Sequence, residues 1–352
     1  MKTILRTFVG CTAILFGTAC MGAVKYVPEN MKVELSLKVP GNNAVNYKLH
    51  PDKLENSYFD YEWRSDNKLP ITVFHKVEER DSCMRLTVQL TAAQDVYFNY
   101  RQLLSTGYRH DNCQFYMPGF WYRRNLRSPK KAPSFHTSDS WLVREDRLSA
   151  PLTGIFSEKE KRFMTVNRLD DFSMDALATH KEGEIILSGK TSLGFTGFEN
   201  QQGIAMLSFG FPYREAPKSY IRKLTLAPEV EAFQLMKKGE SVLLTWEIME
   251  SGADDFSDFI QHTWEHCYDT YAPKPVENSY SIADMKQVLS CFFVNSLVDN
   301  QPLVYNSGIH LKVSDCERNG QAEVGFIGRV LLNAFNAWEY GWQSNREELK
   351  VN

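Results

Sequence analysis

The sequence predicts a protein of two parts, a large antiparallel β-sandwich followed by a helical region. Apolar and polar residues alternate with period two in many short runs between Lys32 and Glu247, and Gly, Pro, Asn and Asp separate these runs. After Glu250 the apolar residues recur instead at the three- and four-residue spacing of a helix. A chain of 352 residues is also too long for one ordinary core, which favours more than one domain.

Residues 1–22 have the pattern of a signal peptide for export. Lys2 and Arg6 precede an apolar stretch from Thr7 to Gly17, and small residues follow up to Cys20. The stretch is shorter than the roughly 20 residues needed to cross a bilayer, so we expect cleavage and no transmembrane span. Cleavage before Cys20 would leave a lipid anchor on this cysteine, and ordinary cleavage nearby is the alternative. Export predicts a location in the periplasm or at the outer-membrane surface.

The β-sandwich is predicted for residues 23–250. Alternation is clearest in Val33–Val39, Ile71–Val77 and Arg85–Thr91. Further strand-like runs follow at 96–100, 163–166, 184–188, 204–211, 218–226 and 242–248. No helical period intervenes, which favours antiparallel pairing. Because the region spans about 215 residues, we expect a larger sandwich than an immunoglobulin-type domain of about 100.

Residues 251–352 are predicted to be helical. Three helices are expected, over residues 256–267, from 281 through 293, and over 321–340. Asp254 and Asp255 can cap the first helix. Ser281 and Asp284 resemble a capping box at the start of the second.

Charge and cysteine content exclude several classes of protein. The formal net charge is −3 and the pI is near 6.3, without the basic excess of a nucleic-acid-binding domain. We find no nucleotide, dinucleotide or serine-hydrolase motif and therefore expect no cofactor and no metal. The cysteines beyond Cys20 show no zinc spacing, and we expect buried thiols, with a Cys83–Cys113 bridge as the alternative. They are Cys83, Cys113, Cys267, Cys291 and Cys316.

Four short segments carry a family resemblance. They are MPGFWYRRN at 117–125, REDRLS at 144–149, WEHCYDTYAP at 264–273 and EVGFIGR at 323–329, with Asn333 and Tyr340–Gly341. With a large β-sandwich followed by helices, and in this order along the chain, these segments resemble secreted bacterial carbohydrate-active enzymes of the six-hairpin, (α/α)6-toroid superfamily. The resemblance implies polysaccharide degradation by inverting hydrolysis in a cleft between sandwich and helices. Residues 251–352 would form only an incomplete α/α-toroid-like region. We therefore expect either a truncated product of a longer gene, which leaves the activity undecided, or a small helical appendage that serves another purpose.

The resemblance places two of these segments beside the sugar. Aromatic faces stack on sugar rings, and guanidinium groups bind carboxylate or sulfate. The alternatives are a solvated basic loop for the first segment and local salt bridges for the second. Alternation would equally allow Trp121 to point inward. The candidate substrate-binding residues are Trp121, Tyr122, Arg123, Asn125, Arg144, Asp146 and Arg147.

Catalysis by hydrolysis would need two carboxyl groups about 5–9.5 Å apart. The candidates are Asp315, Glu317 and Glu323, before and at the start of the third predicted helix. Stabilisation of the helix dipole explains such carboxylates equally well.

The segment His262–His266 spells HxxEH, which on a helix sets two histidines on one face. They could bind zinc with Glu265 as a general base, as in a metalloprotease. Such a motif belongs near the start of an α/β domain, whereas this one follows an all-β region. Trp264 also lies where the buried stripe of the helix is expected. A zinc protease is therefore a minor alternative.

The sequence as a whole predicts an exported, glycoside-hydrolase-like protein that acts on a polysaccharide or oligosaccharide. The competing hypothesis is a non-catalytic glycan-binding surface lipoprotein, for which aromatic contacts suffice and no acid pair is needed.

Overall fold

The computed structural model describes residues 28–54, 60–80, 83–126, 133–170, 184–188, 191–217, 219–222, 225–227, 229–275, 277, 280–295, 297–298, 304–305 and 329–350. The predicted signal peptide with Cys20, and the candidate carboxylates Asp315, Glu317 and Glu323, lie outside these residues. The chain divides into two compact units, Met1–Tyr271 and Ala272–Asn352. No helix among the described residues is long and apolar enough to span a membrane.

The first unit is built mainly of β-strands. They are β1 (Met31–Lys38), β2 (Val45–Lys53), β3 (Asp60–Arg64), β4 (Ile71–Glu79), β5 (Cys83–Ala92), β6 (Val96–Arg109), β7 (Cys113–Met117), β8 (Trp121–Arg123), β9 (Trp141–Arg144), β10 (Leu152–Ser157), β11 (Arg162–Arg168), β12 (Glu184–Ser188), β13 (Phe195–Gln201), β14 (Ile204–Phe211), β15 (Arg214–Glu215), β16 (Ser219–Arg222), β17 (Thr225–Ala227), β18 (Val230–Met236) and β19 (Ser241–Gly252).

Backbone pairing arranges most of these strands in two sheets. The first has the order β9–β13–β14–β6–β1–β2. Strand β18 pairs with the same edge of β6 as β14 does, and it also pairs with β12 and β15. The second has the order β8–β7–β10–β11–β19–β5–β4–β3–β2. Strand β2 belongs to both sheets. Among the described pairs only β12–β18 is parallel, so the predicted antiparallel architecture is confirmed.

The two sheets enclose one apolar core. Burial alternates along strands such as β4, as the period-two pattern predicts. Trp246 of the second sheet packs against two residues of the first, with ring centroids 6.3 Å from Tyr100 and 5.2 Å from Phe209. The Nε2 atom of His75 is 2.8 Å from the Tyr100 hydroxyl, which adds a polar contact between the sheets. These contacts define a β-sandwich.

Helix α1 (Phe256–Tyr271) completes the first unit. The carboxylate of Asp255 accepts the backbone N–H groups two and three residues later, at 2.7 and 3.0 Å, which confirms the predicted cap. Phe259 is fully buried and its ring centroid lies 4.9 Å from that of Phe163 in β11. The compact unit therefore ends at Tyr271, beyond the change of sequence pattern near residue 250.

The second unit contains helices α2 (Ile282–Asn295) and α3 (Arg329–Ser344), and strands β20 (Leu297–Val298) and β21 (Val304–Tyr305). Ser281 and Asp284 form the predicted capping box, because each side chain accepts the backbone N–H of the other, at 3.1 and 2.9 Å. Ala337 packs against Leu349 in a small apolar cluster. The predicted order of β-rich and then helical regions is thus confirmed.

The cysteines are free thiols within the described residues. Cys83, Cys113 and Cys267 are buried, as we expected, and no bridge joins the first two. Cys291 is exposed, so the expectation of a buried thiol is wrong for that residue.

Candidate functional site

Trp121, the first residue of β8, lies in the core and not on the surface. Its indole is fully buried, with ring centroids 5.4 Å from Trp141 and 5.1 Å from Phe198. The ring N–H donates to the carbonyl of Arg123 at 3.0 Å. The inward alternative from the sequence is the one that the structure adopts, and the two residues that follow Trp121 in the strand are both exposed. Trp121 offers no face to a ligand.

Tyr122 and Arg123, by contrast, are exposed. The Tyr122 side chain is 52% exposed, and its hydroxyl accepts the N–H of Gly119 at 3.2 Å. The Arg123 guanidinium lies 4.7 Å from the ring centroid of Phe256 in α1 and donates to Gln114 at 3.1 Å. Arg123 has φ = +57°, a left-handed conformation that costs an L-residue about 1–2 kcal/mol. The fold therefore holds this arginine outward at a cost in free energy.

Asn125 stabilises the loop itself. Its side-chain oxygen accepts the N–H of Tyr122 at 3.1 Å, and its amide donates to the carbonyls of Phe120 and Pro133 at 3.2 and 3.3 Å. With both ends of the amide bonded within the loop, Asn125 positions its neighbours and has little capacity left for a ligand. The rest of the predicted basic loop, residues 127–132, lies outside the described residues.

Helix α1 presents aromatic residues next to this loop. The Trp264 indole N–H donates to the hydroxyl of Tyr116 at 2.8 Å, and the ring of Tyr116 lies 5.5 Å from that of Tyr122. Trp264 is 39% exposed and Tyr268, one helical turn further, is 65% exposed. We call Tyr122, Trp264 and Tyr268 the aromatic surface.

The sequence pattern missed this surface. Trp264 was expected in the buried stripe of the helix, and that expectation is wrong, because Phe259, Thr263 and Cys267 form the buried face. The residues i, i+4 and i+8 from Phe259 fix that face, and Trp264 lies just outside it. An aromatic pair at i, i+4 outside the buried stripe was the available signal.

The segment Arg144–Arg147 forms buried ion pairs. Arg144 binds Asp146 through two hydrogen bonds of 3.0 and 2.7 Å, and its guanidinium lies 4.5 Å from the ring centroid of Tyr213. Arg147 makes a bidentate pair with Glu215. All four charged side chains are nearly inaccessible to solvent. A local salt bridge of the kind considered from the sequence therefore joins Arg144 to Asp146, whereas the partner of Arg147 is distant in sequence. Both guanidinium groups are already bonded to protein.

Glu145, in the middle of that segment, is also buried and paired. It accepts a hydrogen bond from Arg168 at 2.6 Å and from the Gly194 N–H at 2.8 Å. Burial raises the pKa of Glu145, because the opposing effects of Arg168 and the Gly194 N–H do not fully offset desolvation. The segment thus ties β9 to β11 and to the start of β13, and none of its contacts within the described part of the chain involves Tyr122 or Arg123.

A polar cleft of about 590 Å³ opens on the first sheet, within the 300–1,000 Å³ typical of ligand sites. Arg101 pairs with Glu34 at 3.1 Å and with Glu199, and Arg214 pairs with Glu231 at 3.1 Å. Burial lowers the pKa of Arg214. Since each arginine faces a carboxylate, the walls offer donors and acceptors together, which suits hydroxyl groups better than an anion. The polar lining comprises Arg101, Ser138, Ser140, Glu199, Arg214, Glu215, Glu229 and Glu231.

The two histidines of the HxxEH segment do not converge. His262 lies 3.4 Å from Asp258 on its own helix, whereas His266 lies 2.9 Å from Glu247 on β19. Glu265 accepts a hydrogen bond from Gln261 at 2.8 Å. The described contacts give the motif no common ligand set, and the metalloprotease alternative has no structural support.

His266 instead joins a compact polar cluster with Cys83 and Glu247. One potential ligand atom of each residue lies within 4.8 Å of the other two. Thr270 and Arg85 also donate to Glu247, at 3.0 and 3.1 Å. Burial alone would raise the pKa of Glu247, but the hydrogen bonds from His266 and Thr270 and the nearby positive charges lower it to about 2. Burial, with Glu247 beside it, raises the pKa of Cys83 to about 12.

Comparisons with known proteins find similarity to solved structures only, at low sequence identity. No family model matches the chain, and no curated protein matches it. Among solved structures, it is similar to a polysaccharide lyase at 13% identity and a TM-score of 0.31, over 66% of this chain and 27% of that one. It is also similar to a protein of Synechocystis sp. PCC 6803 at 8% identity and a TM-score of 0.32, over 61% and 73% of the two chains.

A third similar structure is described as a kojibiose phosphorylase from the human microbiome. It shares 6% identity and a TM-score of 0.29, over 76% of this chain and 28% of that one. The chain thus spans little more than a quarter of the polysaccharide lyase and of the phosphorylase. Similarity of this degree does not define a family.

Proposed function

We propose that the protein is an exported carbohydrate-active protein that binds a polysaccharide or oligosaccharide on the aromatic surface. The observation that supports this most is the exposure of Tyr122, Trp264 and Tyr268 on two adjoining elements, with Arg123 at their edge. Single exposed apolar residues are common, but neighbouring ones that are rimmed by polar groups often mark an interaction site. Sugar rings present C–H faces that stack on aromatic rings, and their hydroxyl groups accept hydrogen bonds from a guanidinium group.

Two of the rings are fixed before any ligand binds. The Trp264 indole is bonded to Tyr116, and the Tyr122 hydroxyl is bonded to the backbone of Gly119. A ligand that stacks on fixed rings loses less free energy to the ordering of side chains. This arrangement favours a binding surface over aromatic residues that are exposed by chance.

Titration with neutral and uronate-rich polysaccharides tests the proposal. Trp264→Ala and Tyr122→Ala should each weaken binding by about 1–3 kcal/mol, which corresponds to roughly 5–150-fold in Kd. Tyr280→Ala is the matched control, because this tyrosine of the second unit is similarly exposed at 63%. Arg123→Gln should matter mainly for the uronate-rich polymer, and this effect should shrink as salt screens the charge.

Thermal melts of the variants separate lost binding from lost folding. If both aromatic variants melt as the wild type and bind as tightly, the aromatic surface is not the site. If the Tyr280→Ala control weakens binding equally, the effect is not specific to this surface.

The proposal also includes hydrolysis of the bound glycan, for which Asp315, Glu317 and Glu323 are the candidate catalytic carboxyl groups. If the protein releases new reducing ends from a polysaccharide that it binds, this would support an enzyme. Loss of that release in Glu323→Gln would identify Glu323 as one of the catalytic carboxyl groups. Tight binding without release would favour the alternative, a non-catalytic glycan-binding surface lipoprotein. Mass spectrometry of the mature protein tests export and lipidation together, because it reads the new N-terminus and any acyl chains on Cys20.

A further inference from the structure

The cluster of Cys83, Glu247 and His266 brings together three metal-ligating groups from three elements. In the register of β5 against β19, Arg85 lies directly opposite Glu247. Cys83 is two residues from Arg85 and therefore shares its face of the sheet, diagonal to Glu247. His266 and Thr270 are one helical turn apart on α1 and both contact Glu247 from above that face. The three side chains meet because residues two apart in a strand share a face, residues four apart in a helix share a face, and α1 packs on this face of the sheet.

We propose that Cys83, Glu247 and His266 bind a zinc ion between the second sheet and helix α1. A thiolate, a carboxylate and an imidazole are the three donor types that Zn²⁺ takes in proteins. Their ligand atoms already lie within 4.8 Å of one another. Two of the three side chains are buried, and that of His266 is 19% exposed, so an ion has a route in from solvent. Three protein ligands leave a fourth tetrahedral position for water.

Charge and proton balance are consistent with a divalent ion. The thiol of Cys83 releases one proton to solvent and becomes a thiolate, so thiolate and carboxylate together cancel the charge of the ion. The proton that His266 shares with Glu247 moves to Nδ1 of the neutral imidazole, which frees Nε2 for the metal. Thr270 and Arg85 keep their bonds to Glu247 and orient it, as outer hydrogen bonds do in zinc sites.

The ion would also fix helix α1 to the sheet. Of its ligands, His266 comes from the helix and the other two come from β5 and β19. Trp264 lies two residues before His266, and Tyr268 lies two residues after it. Metal binding would therefore immobilise the segment that carries the exposed aromatic rings. The zinc site itself does not depend on the glycan proposal.

The test uses the full chain, freed of metal with a chelator and then titrated with Zn²⁺ by calorimetry and with Co²⁺ by absorption spectroscopy. We expect one ion per chain and, with cobalt, a thiolate-to-metal charge-transfer band in the near ultraviolet. Cys83→Ser and His266→Gln should abolish stoichiometric binding. Cys113→Ser and His262→Gln are matched controls, a second buried thiol and the other histidine of the HxxEH segment, and both should bind as the wild type does.

The controls also separate this site from other ones. Loss of binding in His262→Gln would assign the ion to the HxxEH pair and overturn the proposal. Absence of stoichiometric binding, or bound cobalt without the charge-transfer band, would overturn it as well. If Cys83→Ser does not fold, the cobalt spectrum of the wild-type chain still decides whether a thiolate ligates the ion.

Discussion

Phe259 of helix α1 is the residue whose removal best tests how the helix belongs to the sandwich. Its ring is fully buried, 4.9 Å from the ring of Phe163 and 6.0 Å from that of Phe156. It also lies against the backbone of Gly154, where a Cβ atom would come within 2.5 Å of the phenyl ring. Gly154 has no side chain that can move into the space that Phe259→Ala would leave.

The cost of this substitution follows from burial and from the lack of relaxation. Truncation of a buried phenylalanine to alanine destabilises a protein by about 3–5 kcal/mol, and more when the site cannot collapse. We expect about 4 kcal/mol for Phe259→Ala. In a domain of this size 1 kcal/mol moves Tm by about 2–4 °C, so Tm should fall by roughly 8–16 °C.

Thermal unfolding followed by the circular dichroism of the sheets measures the effect. Tyr268→Ala on the same helix is the control, because that side chain is exposed and its loss should change the free energy of unfolding by no more than about 0.5 kcal/mol. If Phe259→Ala left the melting of the sheets unchanged, α1 would not be part of the sandwich. The division of the chain would then return to residue 250, where the sequence pattern changes.

Two further predictions concern buried ionisable groups. Glu145→Gln should destabilise the first unit by about 3 kcal/mol in denaturant titrations. This is the low end for a broken buried ion pair, because Asp170 still pairs with Arg168. A change under 1 kcal/mol would contradict this prediction. Burial lowers the pKa of His75 from 6.5 to about 3, so between these values the unfolded chain binds a proton that the folded one does not. The contribution of His75 to the free energy of unfolding should therefore fall by about 1.4 kcal/mol per pH unit as pH drops from 6.5 towards 3. His75→Gln should remove that slope, and equal slopes in both proteins would refute it.

Local structure was predictable because local patterns determine it. The period-two run at Val33–Val39 became β1, and Asp255 caps α1 as its position before the apolar period indicates. The capping box at Ser281 formed for the same reason. In each case the residues that specify the element lie within one or two turns of each other.

The site was less predictable, because it depends on which face of a short strand or helix meets the core. One residue of shift exchanges buried and exposed positions in a strand, and β8 has three residues, too few for a pattern to decide between Trp121 and Tyr122. The sequence left a sugar-binding role and local salt bridges open for Arg144 and Arg147. Arg144 does pair locally with Asp146, but Tyr213 against Arg144 and Glu215 against Arg147 come from some seventy residues later. No local pattern reveals such a partner.

Strand β5 has its partner β19 far along the chain, and the side chains of Thr91 and Ser241 that meet across this pair are 150 residues apart. Since β19 also joins β11, the second sheet cannot close until the chain has been made as far as Gly252. Long-range pairings of this kind raise contact order and slow folding. During synthesis, the edges of β5 and β11 that pair with β19 therefore stay unpaired until β19 has been made. In this state aggregation competes with folding, and chaperones act on it.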